Sequence, residues 1–328
     1  CGYAKLPEEY GISEPLRCLG AECLTPSLIG TEDFLLSWSS SGEIRPTPEG
    51  PALQSVWYES PIENGWLFIC AVDLFETIVL LQQGDRPVTG DGYPAPDGTV
   101  PLDDGILKAE DTLQLDWEWD RRRTPSGGRY FALPYADLWR EAVITCIVKA
   151  VLRQGHTIPI IGYWPDGIKA VAHLSHDSDL NIDDSAISTL ELLKPYNIHS
   201  TWCMIEPGYS PHIYERVMAD GHELAFHYNA LEAQGGQWGE EAFRRQFHWL
   251  TQSTGLSNVT SNKNHYTRFE GWGELFAWCE KCGIQVDQTR GPSKGGDRGF
   301  LFSTCHPYRP MAWHDEENRF YDVLEIGF

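Results

Sequence analysis

From about residue 168 onward the chain alternates strand-like and helix-like runs, and this alternation constrains the fold more than any other feature. KAVAHLSH (169–176), IHSTWCMI (198–205), HELAFHY (222–228), a short run at 258–261, IQVDQ (284–288) and GFLFSTCH (299–306) read as strands. Between them SAISTLELLKPY, SPHIYERVMADG, EEAFRRQFHWLTQSTG and FEGWGELFAWCEKCG carry apolar residues at helical spacing and end near Gly or Pro. Repeated βα units at this spacing predict a largely parallel sheet or barrel, with its working site at the C-terminal ends of the strands.

The first half is less regular. Residues 64–71 predict a strand, 72–83 a helix, and 135–153 a longer helix with Gly155 as its stop. Between them, 84–104 is dense in Gly and Pro and predicts turns. The 328 residues therefore divide into two expected domains, 1–155 and 156–328. No apolar run approaches the roughly 18 residues of a membrane span, because WLFICAVDLFETIVLL is interrupted by Asp73 and Glu76. The net charge is −22, a field that repels phosphate backbones and anionic lipid, so nucleic acid and membrane surfaces are excluded as partners. Nine cysteines, an odd number spread along the chain and partly inside apolar runs, point to reduced thiols and a cytoplasmic setting, with a secreted or lipid-anchored protein as the alternative. Cys279 and Cys282 form a single C-x-x-C without the second pair that a structural zinc site needs.

The chemistry-bearing residues fall at the predicted strand ends. KAVAHLSH runs out into Asp177-Ser178-Asp179, and residues two apart on an extended chain project to one side, so two carboxylates can meet one site. His227 ends the HELAFH strand, whereas His222, five residues earlier, is directed to the other face. His265, in KNHY, sits at the next strand exit. One carboxylate and two imidazoles at three neighbouring strand ends would form an open three-ligand metal site, with the second carboxylate left as a base. No G-x-S-x-G elbow, P-loop or G-x-G-x-x-G is present, and the Gly-rich GPSKGG at 291–296 reads as a loop.

The order of these motifs resembles the NodB-homology polysaccharide deacetylases of carbohydrate esterase family four, over roughly 165–328. The resemblance rests on HDSD at Asp177 and Asp179, on the lead Gly221-His222-Glu223 into the strand ending at His227, and on the segment TGLSNVTSNKNHYTRFEGWGELFAWCEKCGIQVD. It implies a distorted (β/α) barrel, one divalent transition metal, with zinc the expected ion, Asp177 as base, and Asp179 and His227 as metal ligands. The family's second motif histidine falls on Leu231 here, and His265 is expected to replace it. By the same resemblance His306 in STCHPY is the late histidine that assists the leaving group, with Asp287 and Arg290 placed behind the site. Arg290, Trp202 and Trp272 are the candidate substrate-binding residues, the rings as platforms for sugar faces, and Trp164 and Trp313 are placed near the same loops. The N-terminal half more faintly resembles the class I glutamine amidotransferase-like α/β fold, through WLFICAVDLFETIVLLQQG and the PAPDG loop, but lacks a nucleophilic Cys elbow and is expected to be a partial, non-catalytic domain. The expected activity is metal-dependent removal of an acyl group from an amide, with an N-acetylated sugar or polysaccharide as substrate. A hydrolase of small non-sugar amides and a non-catalytic carbohydrate-binding scaffold that has lost the metal are the alternatives.

Overall fold

The structure, a computed structural model, describes residues 2–21, 38–92, 98, 105–293, 296–313 and 318–327. Much of the turn-rich 84–104 stretch, with its PAPDG loop, and part of the 291–296 loop therefore lie outside the described residues.

The N-terminal half is built from short antiparallel pairings. Strand β1 (Gly2–Lys5) lies between β2 (Leu16–Cys18) and β4 (Glu43–Arg45). In a second sheet β5 (Trp57–Ile62) lies between β3 (Ser39–Ser41) and β6 (Gly65–Cys70). Helix α1 (Leu74–Gln83) begins at Asp73, whose carboxylate accepts the Glu76 N–H at 3.0 Å, a side-chain N-cap. A hairpin of β7 (Arg121–Arg123) and β8 (Arg129–Phe131) precedes α2 (Tyr135–Arg153), the long helix the sequence predicts. The helix gives way at Gly155, whose φ of 74° is left-handed and suits glycine. Because the strands pair antiparallel, the described N-terminal half lacks the parallel sheet of the expected α/β domain.

The C-terminal half follows the predicted alternation. Its strands are β9 (Ser175–Asp177), β10 (Thr201–Met204), β11 (Glu223–Phe226), β12 (Ser261–Asn262), β13 (Val286–Asp287) and β14 (Leu324–Glu325). They form one six-stranded parallel sheet in sequential order, which makes this half α/β. Among the described residues β9 is an edge and β14 is flanked on its outer side by the single antiparallel bridge of Glu325 with Tyr308, so the described strands do not close into a barrel. Helices α3 (Asp183–Leu193), α4 (Pro211–Ala219), α5 (Glu240–Thr254) and α6 (Glu274–Cys282) occupy the predicted positions. In α5 the buried Phe243, Gln246 and Leu250 fall on one stripe, which packs toward the sheet while Glu240, Glu241 and Gln252 stay outside the core. No helix among the described residues is long and apolar enough to cross a membrane.

GFLFSTCH is not a strand. It is a succession of turns, with Gly299 and Ser303 at φ of 99° and 56°, and its apolar Leu301 and Phe302 are buried from a loop. A run of apolar residues alone does not distinguish a strand from a loop pressed into a core.

Two cores result. One joins the N-terminal sheets to α1 and α2 around Trp57, Leu81 and Trp139. The other surrounds the parallel sheet, yet Val88, Ala109 and Phe131 from the first half are part of it. Backbone bonds confirm the interlock: Val88 and Gly271 exchange two hydrogen bonds of 2.8 Å, and Phe131 donates to Arg298 and accepts from Phe300. A division at residue 155 therefore cuts through one core.

Under the sheet's far edge, two acids share a fully buried space. Burial pushes Asp287 up, opposed by the donors that favour its ionised form, Asn262 Nδ2 at 2.6 Å and the Thr289 N–H and hydroxyl at 3.0 and 2.9 Å. Burial and the neighbouring Asp287 hold Glu325 well above the usual carboxylate range, so Glu325 carries the proton. A carboxyl raised in the fold stabilises it fully below its unfolded value, about 4.3, and that contribution is lost as pH rises toward the folded value. Thermal melting of wild type should therefore fall relative to Glu325→Gln as pH goes from about 5 to about 8. A flat difference between the two melting curves over that range would contradict the assignment.

Candidate metal centre at the sheet's C-terminal edge

Strand register places the site. Cys203 pairs with Asp177, Met204 with Phe226, and Phe226 with Asn262, so the residues just after these levels emerge from one edge. The pairing continues past the strands, since His227 N–H donates to the Met204 carbonyl, Lys263 N–H to Phe226 and His265 N–H to Tyr228, each at 2.9 Å. Ser178 turns inward and is buried, its Oγ accepting the Ile205 N–H, so Asp177 and Asp179 both point outward, as the period-two argument requires.

Asp179, His227 and His265 meet. Asp179 Oδ1 lies 3.2 Å from His227 Nε2 and 3.2 Å from His265 Nδ1, and the two ring nitrogens are 3.3 Å apart. The other nitrogen of each ring is committed. His227 Nδ1 donates to the Lys263 carbonyl at 2.6 Å, and His265 Nε2 donates to Gln234 Oε1 at 2.8 Å. Each ring thus turns a lone pair toward the carboxylate oxygen, and three electron-rich atoms face one point. Ligands about 2.0–2.1 Å from one tetrahedral centre stand about 3.3–3.4 Å apart, so this donor set fits a zinc-like ion with room for a fourth ligand. Contacts from ring N–H groups to a carbonyl or amide are also the usual support of metal-bound imidazoles. Burial pushes the His265 ring down, which favours its unprotonated, electron-donating form.

Leu231, where the resemblance expects a histidine, is buried apolar lining. The turn after it instead delivers Gln234 to His265. Tyr266 and Thr267 follow His265 with φ of 52° each, an uncommon conformation for such residues, and Tyr266 is half exposed with its ring edge-on to His265 at 4.6 Å. A cavity of about 740 Å³ adjoins this edge, lined in part by Glu232, Gln234, Trp238, Tyr266, Arg268 and Glu270. On the other side Asp177 Oδ2 accepts from Lys263 Nζ at 3.0 Å.

The remaining candidates lie elsewhere. Trp202 is 2% exposed, its Nε1 donating to Ser200 Oγ and its ring packed against His176 and His222. Trp272 is buried against Trp313, with Nε1 donating to the Met311 carbonyl. Neither ring has a face left for a sugar. Arg290 is also interior: its Nη2 donates to the Gln82 carbonyl at 3.1 Å, its backbone N–H donates to Glu325, and its guanidinium lies between Phe269 and Phe302. It ties α1 to the sheet rather than reaching a substrate. His306 is joined to Asp137 of α2 and stacked on Tyr163 and, further off, Trp164. No contact among the described residues links it to Asp177 or Asp179. Asp287 is buried in the acid pair described above. Lys263 and Gln234 were not singled out by motif reading. Lys263 had a signal, since it precedes His265 by two residues on an extended segment, whereas Gln234 is placed only by a turn.

No protein-family model matches the sequence, and a search of curated proteins finds no match. Among solved structures, one assigned as a polysaccharide deacetylase involved in O-antigen biosynthesis from Bordetella bronchiseptica is 18% identical with a TM-score of 0.34. Another, assigned as a polysaccharide deacetylase from Mycobacterium smegmatis, is 19% identical with a TM-score of 0.37. The alignments cover 47% and 50% of this chain, and 56% and 60% of those chains.

If Arg290 is structural, Arg290→Ala should cost about 3–5 kcal/mol in urea unfolding, the range for breaking buried charged contacts. A residue reserved for substrate would leave the unfolding midpoint unchanged.

Proposed function

We propose that the protein is a metal-dependent hydrolase that removes an acyl group from an amide, with an N-acetylated sugar as substrate. The observation that carries this reading is the convergence of Asp179 Oδ1, His227 Nε2 and His265 Nδ1 within 3.3 Å of one another, beside a second, separate carboxylate on Asp177. Asp179, His227 and His265 would hold one divalent ion, with zinc favoured by the nitrogen-rich donor set. When bound, such an ion lowers the pKa of a coordinated water and polarises the amide carbonyl.

The chain's own groups supply the rest. Asp177 lies next to the ligand Asp179 without joining it, and takes the proton of the attacking water as general base. Lys263 holds the Asp177 carboxylate through a 3.0 Å contact and fixes its direction. Gln234 and the Lys263 carbonyl lock the tautomers of His265 and His227. The adjoining cavity, with Gln234, Arg268 and Glu270 among its walls and Tyr266 and Trp238 as aromatic surface, suits a hydroxyl-rich ring. His306 is removed from the catalytic assignment by its contacts with Asp137, and no leaving-group acid is assigned in its place. All seven described cysteines are free thiols, which supports a reducing, cytoplasmic setting.

Metal analysis should find one zinc-like ion per chain at this site, lost in Asp179→Ala and in His265→Ala. Asp177→Asn should retain that ion while acetate release from chitooligosaccharides falls by about 10²–10⁴-fold, the usual weight of a general base. Metal loss in Asp177→Asn would make Asp177 a ligand instead. Retention of the ion in both ligand variants would remove the centre, and with it the reading.

A further inference from the structure

A second group of donors lies at the junction of the two halves. Asp137 belongs to the first turn of α2, and Cys305 and His306 belong to the loop left by the failed strand GFLFSTCH. Asp137 Oδ2 is 3.1 Å from His306 Nδ1, and Cys305 Sγ is 3.5 Å from the same nitrogen. All three donor atoms lie within 4.8 Å of one another. Sulfur at about 2.3 Å and nitrogen at about 2.0–2.1 Å from one tetrahedral centre stand about 3.5–3.6 Å apart, so the observed spacing matches a shared ion.

The arrangement does not read as a nucleophile with its base. Sulfur and carboxylate compete for one imidazole nitrogen, so no relay runs from carboxylate through the ring to sulfur. Burial, with Asp137 adding to it, also pushes the Cys305 thiol up to about 11, away from a reactive thiolate.

We propose that Asp137, Cys305 and His306 form a second metal site, separate from the Asp179 centre, which takes a thiolate-binding divalent ion such as zinc or cobalt. The carboxylate is preset: its Oδ1 accepts from the Thr304 hydroxyl at 2.9 Å and from Arg140 at 3.4 Å, and its Oδ2 also accepts the Cys305 N–H at 2.7 Å. The His306 ring is fixed by stacking on Tyr163 at 3.9 Å between centroids. Cys305 is exposed and His306 partly so, which leaves an entry path and a position for water or an outside ligand. Binding releases the thiol proton to solvent, His306 offers Nδ1 from the neutral ring with its proton on Nε2, and sulfur, nitrogen and oxygen join one ion. A mixed sulfur, nitrogen and oxygen set discriminates against magnesium and calcium. Because the ligands come from α2 and from the 304–306 loop, the ion would clamp the N-terminal helix onto the sheet half.

Titration with Co²⁺ separates the two sites, since only this one contains sulfur. Wild type should bind two equivalents and develop the near-ultraviolet thiolate-to-cobalt band. Cys305→Ser should abolish the band and one equivalent, His306→Ala should weaken both, and His227→Ala should keep the band while losing the other equivalent. The substituted Cys305 is at the surface, and unchanged circular dichroism would confirm that its variant folds. No thiolate band in wild type, or a band that survives in Cys305→Ser, overturns the site whatever happens at Asp179.

Discussion

The hydrogen bond from His227 Nδ1 to the Lys263 carbonyl sets the geometry of the whole C-terminal edge. It joins the exits of β11 and β12, two strands whose shared ladder is a single residue pair long. By consuming the Nδ1 proton it turns Nε2 toward Asp179. The residue whose carbonyl accepts it also sends its ammonium across to Asp177, so one backbone position fixes a metal-type ligand and a candidate base together. A short β12 is tolerable because this bond, and the backbone bonds at Lys263 and His265, continue the pairing where the formal strand ends.

The same geometry gives two neighbouring carboxylates different surroundings. Asp179 faces two imidazole nitrogens, while Asp177 faces an ammonium. Ser178 between them is buried and pins the backbone, so the two groups cannot exchange positions without breaking its bond to Ile205. Lys263 matters in a chain of net charge −22, because it balances one of the two acids that emerge at this edge. An ammonium that is itself largely buried does this more strongly than surface cations, which salt screens.

Sequence patterning made the parallel half legible because each element there obeys a local rule. Helix α5 shows its buried stripe, α2 its stop at Gly155, and the exits of β9, β11 and β12 display Asp, His and His in extended segments whose side-chain direction follows from period two. What failed depended on contacts between distant segments. Arg290 is charged and flanked by Gly, which reads as a surface loop, yet Gln82 of α1, 208 residues away, closes over it. Trp202 lies inside β10 and Trp272 just before α6, where Ser200 and Met311 accept their indole N–H groups and neighbouring rings take their faces. The antiparallel pairing of β5 with β6 was invisible because β5 holds Glu59 and Pro61 in a run without clean alternation.

The interlock between the halves gives the misread loop its importance. GFLFSTCH has the composition of a strand, and as a strand it would have carried His306 to the sheet edge with the other imidazoles. Phe131 intervenes: it forms backbone bonds with Arg298 and Phe300, and a Cβ at Gly299 would meet its carbonyl oxygen at 2.1 Å. The close approach needs glycine at 299, and its φ of 99° turns the chain away from the sheet. The Ala136 N–H and the Asp137 carboxylate then take hold of residues 303–306. A histidine that its motif assigns to the first centre is thereby recruited to α2. That displacement is why the described residues carry two donor clusters: His265 completes the first from the KNHY segment, and His306, turned away from the sheet edge, lies with Cys305 and Asp137 in the second.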